Sequence, residues 1–222
     1  MYFLHTQPCV LKSKAQFCAP CENYFVPFVV KSKMSWLRAT NNMSQINWKT
    51  DTLANITAEE FYTLIDRNRE HIKKTFPLTL AGCADLKKTK KYIEQSIDNE
   101  TWEDNYYFYI RNTDNNALIG YLMIKNIDEH ISKCELAYFV DKDFEGKGII
   151  SSALGDVLAY CFGDLHRNKV YISTSLTNTA SQKVALKHGF IQEGLLRDEF
   201  RNGEGKLEDI LYFGLLKSDY KK

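Results

Sequence analysis

Helical periodicity in the hydrophobic pattern first appears after Thr57. Phe61, Leu64 and Ile65 recur at the three- and four-residue spacing that places side chains on one face of a helix. Thr57 and Glu60 stand three residues apart, the spacing of a capping box in which each side chain accepts from the other residue's backbone N–H. The pattern therefore predicts a helix that begins just after Thr57.

A second helix is predicted after Asp85. Leu86, Tyr92 and Ile93 are apolar at helical spacing, and the helix is expected to run to about Ser96. Between the two helices lies "FPLTLAG" at 76–82. This stretch contains a proline and a glycine and is predicted to be a loop.

The middle of the chain has the apolar runs and turn residues of β-strands. "YYFYIRN" leads through "TDNNA" into "LIGYLMIKNI", which indicates a hairpin. "KCELAYFV" at 133–140 predicts a third strand.

The remainder alternates helix and strand. A helix is predicted from about Gly148 to Phe162, a buried strand at 169–175, and a helix that ends at Gly189. "FRNGEGKLEDILYFGLL" predicts two closing strands joined by a glycine turn. With one strand placed before the first helix, the order β-α-α-β-β-β-α-β-α-β-β indicates a mixed sheet with helices on its faces.

Residues 1–45 have no sustained period of either kind. We expect them to form a poorly ordered extension, with the folded domain at 46–222. Cys18 and Cys21 form one CxxC pair near His5 and Cys9, but a zinc site needs a second ligand pair at suitable spacing. Unpaired thiols in a tail explain the pattern as well, and no metal is expected.

Composition and charge narrow the class of protein. The 222 residues are 44% hydrophobic and 26% charged, as in a globular domain. The net charge of +1 lacks the excess of positive charge that is typical of proteins that bind nucleic acid. The longest apolar run near the N-terminus, at 24–30, is too short for a bilayer and contains Pro27. We expect a cytoplasmic protein without nucleic-acid or membrane partners.

The stretch "DFEGKGIISSAL" at 143–154 places two glycines between a predicted strand and a predicted helix. A P-loop would need a glycine five residues before Gly146, and a dinucleotide fingerprint would need a third glycine where Ser151 stands. Backbone N–H groups from Glu145 to Ile150, together with the helix dipole, would instead cradle a pyrophosphate. An ordinary tight turn is the competing interpretation.

These residues also carry a family resemblance. "ELAYFVDKDFEGKGIISSAL" and "NTASQKVALKHGF" resemble the acetyl-CoA-binding core of GNAT-fold N-acetyltransferases. The general loop motif is Arg/Gln-x-x-Gly-x-Gly/Ala, from which Glu145 and Ile150 depart. "FEGKGI" is similar to the subgroup of ribosomal-protein (serine/alanine) N-terminal acetyltransferases. The resemblance covers about 46–218 and implies an α+β fold with a central mixed, mostly antiparallel sheet and helices on both faces.

The resemblance implies acetyl-CoA as co-substrate. Its pyrophosphate would lie on the backbone of the loop formed by Glu145, Gly146, Lys147, Gly148, Ile149 and Ile150. Its pantetheine arm would lie between strands 133–140 and 169–175. A backbone N–H of Phe139 or Val140 would donate to the thioester carbonyl.

The catalytic groups are also implied by resemblance. Many members use a tyrosine at the thiolate, where this chain has Ala185. Ser181 would contact the coenzyme sulfur instead, and Asn178 would bond the pantetheine or only cap its helix. Glu199 is expected to be the base that deprotonates the amine, with Glu135 as second candidate. His166 and His188, near element ends, are expected at the surface.

The implied activity is direct acetyl transfer from acetyl-CoA to a primary amine. The expected acceptor is a protein N-terminal α-amine, most plausibly of a ribosomal protein. The alternatives are a small amine, such as a polyamine or an aminoglycoside, and a catalytically silent acyl-CoA-binding domain. Dimers are common in the resembling subgroup, so a homodimer is one expectation for the oligomeric state.

Overall fold

The computed structural model describes residues 46–221 of the chain. The predictions for residues 1–45, including those for Cys18 and Cys21, lie outside the described residues. The strands are β1 (Trp48–Thr52), β2 (Tyr106–Asn112), β3 (Leu118–Asp128), β4 (Lys133–Val140), β5 (Lys169–Ser175), β6 (Ile191–Arg201) and β7 (Leu207–Leu216). The helices are α1 (Ala58–Arg67), α2 (Arg69–Ile72), α3 (Pro77–Gly82), α4 (Leu86–Thr101), α5 (Ile149–Gly163) and α6 (Thr179–Lys187).

All seven strands form one sheet, in the order β1-β2-β3-β4-β5-β7-β6. Every neighbouring pair is antiparallel except β4 and β5, which are parallel. The parallel pair needs a crossover, and α5 supplies it. The predicted mixed, mostly antiparallel sheet is confirmed.

One face of the sheet is covered by helices from the N-terminal half. Tyr109 of β2 and Tyr121 of β3 are fully buried there. Phe61 of α1 packs against both, with ring centroids 5.5 Å and 5.3 Å away. Ile93 of α4 belongs to the same cluster. This apolar layer fixes β2, β3 and β4 against α1 and α4.

The opposite face packs against α5. The Tyr160 ring of α5 meets those of Tyr106 and Phe108 edge-on, each at 5.8 Å between centroids. Cys134 of β4 and Cys161 of α5 are both fully buried, with their sulfurs 4.0 Å apart. Helices therefore lie on both faces, as the sequence predicted.

The predicted helix starts after Thr57 and after Asp85 are confirmed, whereas the prediction of a loop at 76–82 was wrong. Thr57 and Glu60 form the complete capping box, and Asp85 caps α4 by accepting from the Lys88 amide at 2.8 Å. Residues 76–82 contain helix α3 rather than only a loop. Pro77 stands in its first turn, where the missing proline N–H needs no partner.

Two element boundaries also differ from the prediction. Helix α4 continues to Thr101, past the expected end near Ser96. Strand β6 begins at Ile191, well before the "FRNGEG" segment from which it was predicted. β6 is exposed along most of its length because it forms the edge of the sheet. An exposed edge strand lacks the apolar run that identifies a buried one.

A buried ion cluster joins β1, β2 and α1. Arg111 of β2 donates through Nε to Asp51 at 2.7 Å and through Nη1 to Glu60 at 2.6 Å. Hydrogen bonding to Arg111 lowers the pKa of Glu60 below its ordinary value of 4.5. Thus Glu60 both caps α1 and anchors it to the sheet.

Residues 46–221 contain no helix whose length and hydropathy would suit a membrane span.

Candidate active site

Strands β4 and β5 separate partway along their length. They pair only from Lys133 opposite Lys169 to Glu135 opposite Tyr171. Beyond that point β4 continues along β3 to Val140, while β5 stays paired with β7. A cleft of about 360 Å³ opens at the divergence and is lined by both strands. The separation leaves backbone groups of β4 without a strand partner.

The direction of the β4 amides decides which of them face this cleft. The Asp141 N–H donates to Ile119 O at 2.8 Å, so Asp141 forms a hydrogen-bonded pair with β3. Because N–H direction alternates along a strand, the amide of Phe139 also faces β3 and that of Val140 faces the open side. Of the two donors named from the sequence, Val140 is the one whose N–H points away from β3, beyond the β4 residues 135–138 that line the cleft.

The turn between β4 and α5 is held open by two glycines in the left-handed region. Gly146 has a φ of 70° and Gly148 a φ of 74°. A Cβ built at either position would meet no atom within 4 Å. Packing within the chain therefore does not exclude a side chain there. The left-handed backbone conformation disfavours residues other than glycine at both positions, and the space over the loop stays open for a ligand.

Backbone donors converge on this open space. Within the described part of the chain, the N–H groups of Gly146, Lys147 and Gly148 donate to no acceptor. Gly148 caps α5, whose 15 residues direct the positive end of their dipole toward the same loop. Unpaired amides at a helix N-terminus are suited to bind an anion.

The loop has one positive side chain, Lys147, and one negative side chain, Glu145. Lys147 donates to the carbonyl oxygen of Asp143 at 2.7 Å and lies 4.9 Å from the Phe144 ring centroid. Glu145 is exposed, and its carboxylate lies 3.4 Å from Nε2 of His71. Ile149 and Ile150 are buried, so only their backbone can face a ligand. The loop consequently depends on its amides to hold an anion.

The helix corner at the end of α1 anchors the beginning of this turn. Arg67 donates to the buried Asp141 carboxylate and to the carbonyl oxygen of Leu118. Asn68, itself buried, accepts from the Lys142 amide at 3.0 Å. These contacts fix the path of the chain as it leaves β4, and no sequence pattern predicts them.

Ser181 and Asn178 both line the cleft. Asn178 is the N-cap of α6, and its Oδ1 accepts from the Ser181 amide at 3.1 Å. The Ser181 hydroxyl lies 3.0 Å from the hydroxyl of Tyr138 on β4. The capping role of Asn178 is therefore present, while its Nδ2 remains available.

Tyr138 is the residue that sequence reasoning missed. It lines the cleft, and burial raises the pKa of its phenol to about 12, although the Ser181 hydrogen bond acts in the opposite direction. Tyr138 and Ser181 are 43 residues apart, so only the fold brings them together. The alternation of β4 was the available signal, since it places Leu136 and Tyr138 on one face.

Glu199 reaches the cleft from a bulge in β6. The β6–β7 register breaks between Leu196 and Phe200, and Asp198 within the break has a φ of 51°. The Asp198 amide donates to Asp209 of β7 at 3.0 Å, which holds the bulge in place. Bulges re-aim side chains, and Glu199 lines the cleft from this one. Within residues 46–221 its carboxylate has no hydrogen-bond or ion-pair partner.

Glu135, the second candidate base, is already engaged. It is buried, accepts from Asn126 Nδ2 at 2.6 Å and lies 3.5 Å from Nζ of Lys125. Both oxygens of this carboxylate are therefore engaged within the protein, whereas the Glu199 carboxylate lines the cleft.

The histidines lie away from the reacting centre, and one differs from expectation. His188 is half-buried between α5 and α6, with Nε2 3.1 Å from the Ser151 hydroxyl, rather than free at the surface. Burial lowers the pKa of His188. His166 is exposed.

One wall of the cleft adjoins a contact between two turns. A Cβ built at Gly203, in the β6–β7 turn, would lie 2.0 Å from the carbonyl oxygen of Lys73. The adjoining residues Lys74, Thr75 and Phe200 line the cleft. Only glycine permits this close approach, which makes the turn part of the wall of the cleft.

Comparison with known proteins agrees with this geometry. The family model described as "Acetyltransferase (GNAT) domain" matches residues 52–191. The chain is 35% identical over 105 residues to the Bacillus subtilis protein named "Putative ribosomal N-acetyltransferase YdaF", covering 47% of this chain and 57% of that one. It is 26% identical over 103 residues to the spermidine N(1)-acetyltransferase of Vibrio cholerae, covering 46% of this chain and 59% of that one. The chain thus spans less than two thirds of each of these relatives.

Among solved structures, the chain resembles the microcin C7 self-immunity acetyltransferase MccE in complex with acetyl-CoA and AMP. The TM-score is 0.65 and the identity 25%, over 76% of this chain and 92% of that one. The family match covers the separated strands, the glycine turn and the start of α6 in one continuous segment. The chain therefore belongs to the acetyltransferase (GNAT) domain family.

Proposed function

We propose that this protein is an acetyl-CoA-dependent N-acetyltransferase that moves an acetyl group directly to a primary amine. The observation that carries the proposal is a single cleft at the β4–β5 divergence. The Ser181 hydroxyl and the Glu199 carboxylate line it, and the Val140 amide lies further along β4 on the side that faces away from β3. Acetyl transfer to an amine needs a carbonyl donor, a group at the sulfur and a base.

Donor binding rests on the glycine turn and the separated strands. The amides of Gly146, Lys147 and Gly148 bind the pyrophosphate, and the positive end of α5 adds to their attraction. The open side of β4 then bonds the pantetheine arm much as a neighbouring strand would, while the Nδ2 of Asn178 offers a further donor.

Each catalytic group has one task in the transfer. Glu199 takes the proton of the acceptor ammonium, directly or through a water molecule. The Val140 N–H donates to the thioester oxygen, where negative charge develops as the amine attacks the carbonyl carbon. The Ser181 hydroxyl donates to the sulfur as the carbon–sulfur bond breaks. The products are an N-acetylated amine and coenzyme A.

The acceptor we propose is a protein N-terminal α-amine, most plausibly of a ribosomal protein. An α-amine has a pKa near 8, whereas lysine-like amines lie above 10, so a carboxylate base deprotonates the α-amine more readily. The similarity to the Bacillus subtilis relative supports a ribosomal acceptor. The similarity to the spermidine acetyltransferase supports a polyamine as the second candidate.

The acceptor is tested by thiol release from acetyl-CoA with the purified full chain. The panel contains peptides with N-terminal serine or alanine, the same peptides with blocked α-amines, spermidine and an aminoglycoside. We expect release with the free peptides alone. Thiol release with spermidine or the aminoglycoside alone would show that the acceptor is a small amine rather than a protein N-terminus. Coenzyme binding without release from any amine would support a silent acyl-CoA-binding domain and contradict the proposed activity.

The base is tested by Glu199→Gln, which keeps shape and removes the proton acceptor. We expect kcat to fall by about 100-fold or more, the usual contribution of a positioned base, with coenzyme affinity unchanged. Glu94→Gln, an exposed carboxylate on α4 outside the cleft, is the matched control and is expected to behave as wild type. Equal kinetics for Glu199→Gln and wild type would remove Glu199 from the mechanism.

A further inference from the structure

We propose that Tyr138 is a positioning residue that directs the Ser181 hydroxyl toward the coenzyme sulfur. Tyr138 donates its phenolic O–H to Ser181 Oγ, and the serine proton is thereby left to donate into the cleft. This inference rests on the proposed function, because it assigns a role at the same site.

The geometry favours a Ser181 hydroxyl that is oriented by Tyr138 over one that rotates freely. The two hydroxyls lie 3.0 Å apart, and the Tyr138 oxygen lies 3.5 Å from the Ser181 carbonyl oxygen. The Ser181 amide is occupied by Asn178 Oδ1, so the hydroxyl is the donor that Ser181 has left for a ligand. Both residues line the cleft, one from β4 and the other from the first turn of α6.

The distance permits either hydroxyl to donate, and the proposed direction is the one that leaves the Ser181 proton for a ligand. A hydroxyl that accepts a bond from Tyr138 turns its own O–H elsewhere, and the cleft is the open direction. Burial raises the pKa of Tyr138 to about 12, so the phenol keeps its proton when a thiolate forms beside Ser181. Tyr138 therefore transfers no proton itself. It stabilises the leaving group through Ser181, with further help from the N-terminal end of α6.

The chain lacks a tyrosine at position 185, where a small Ala185 is fully buried. The hydroxyl pair of Tyr138 on β4 and Ser181 in the first turn of α6 supplies a donor in place of that tyrosine. This explains how the departure at Ala185 is compatible with chemistry at the sulfur.

The test compares binding of coenzyme A with binding of desulfo-coenzyme A by calorimetry. Measurements are made at about pH 7 and about pH 10, because the free thiol of coenzyme A ionises as the pH rises and then mimics the leaving thiolate. The variants are Tyr138→Phe, Ser181→Ala and the double variant. Tyr109→Phe is the control, since the buried Tyr109 hydroxyl has no partner among the described residues.

We expect wild type and Tyr109→Phe to bind coenzyme A about 10-fold or more tighter than the desulfo compound, the scale of a hydrogen bond to a charged group. The three cleft variants should lose this preference to the same extent and keep wild-type affinity for the desulfo compound. A preference unchanged in Tyr138→Phe, or lost further in the double variant, overturns the inference. So does weaker binding of both compounds by Tyr138→Phe, which would indicate a structural role.

The binding measurement needs no acceptor amine. The role of Tyr138 and the proposed acetyl transfer can therefore be refuted independently of each other. A sulfur preference that depends on Tyr138, with no amine acetylated, would contradict the proposed acceptor and keep the inference. Turnover of peptides by Tyr138→Phe at the wild-type rate would keep the proposed function and overturn the inference. Absence of any coenzyme binding by wild type would overturn both.

Discussion

Substitution of Gly148 tests whether the glycine turn binds the coenzyme through its backbone. Gly148 is the N-cap of α5 and has a φ of 74°. A non-glycine residue in this left-handed region costs about 1–2 kcal/mol, and valine, being β-branched, costs more than alanine. For a domain of this size, about 2–4 °C is lost per kcal/mol. Gly148→Ala should therefore lower the melting temperature by roughly 2–8 °C without ligand.

The effect on the coenzyme should be larger than the effect on folding. A new Cβ would meet no protein atom within 4 Å, so it enters the open space above the loop amides. Coenzyme at roughly 100 times its Kd should stabilise wild type by about 2.7 kcal/mol. In Gly148→Val this ligand-induced rise in melting temperature should disappear. Thermal unfolding with and without coenzyme A separates the two effects in one assay.

Gly163 in the last turn of α5 provides the matched control. A Cβ there also meets nothing within 4 Å, but Gly163 has no positive φ. Gly163→Ala should therefore raise stability by about 0.5–1 kcal/mol and keep the full coenzyme shift. A full coenzyme shift in Gly148→Val would refute the assignment of the pyrophosphate to this backbone.

Two further predictions concern the wall of the cleft and the anchor of α1. Gly203→Ala should push the β6–β7 turn away from Lys73, because its Cβ would lie 2.0 Å from the Lys73 carbonyl oxygen. We expect a loss of about 1–3 kcal/mol in unfolding free energy and a raised acceptor KM, with unchanged coenzyme affinity. Gly194→Ala, which meets no atom, is its control. The lowered pKa of Glu60 means that its contact with Arg111 stabilises the fold above pH 4.5 and is lost as the pH falls below that value. Glu60→Gln should flatten the acid limb of a stability–pH curve in this window, and an unchanged limb would contradict the cited cause.

Several features of the fold could be predicted because neighbouring residues along the chain cause them. The capping box of Thr57 and Glu60 and the N-cap at Asp85 are three-residue relations, and both are present in the structure. The glycine turn is equally local, since the left-handed φ of Gly146 and Gly148 is a property that the residue type itself permits.

The wrong prediction at 76–82 also has a local cause. Pro77 was interpreted as a breaker, whereas in the first turn of a helix its fixed φ is favourable and its missing N–H costs nothing. The presence of a proline does not by itself distinguish a loop from the first turn of a helix. The position of the helix start decides, and that depends on packing around Phe76, whose ring lies 5.2 Å from that of Phe139.

By itself, the sequence predicted the order of the strands, the longer helices and the glycine turn, and its family resemblance implied the candidate roles of Ser181 and Glu199. Only the tertiary structure decided which of these groups meet and which way they point. The β4–β5 divergence selects the Val140 amide over that of Phe139, the β6 bulge brings Glu199 to the cleft, and the packing of α6 on β4 joins Tyr138 to Ser181. Local geometry is specified by residues a few positions apart. A site assembled from separate strands depends on register, which only the packed sheet fixes.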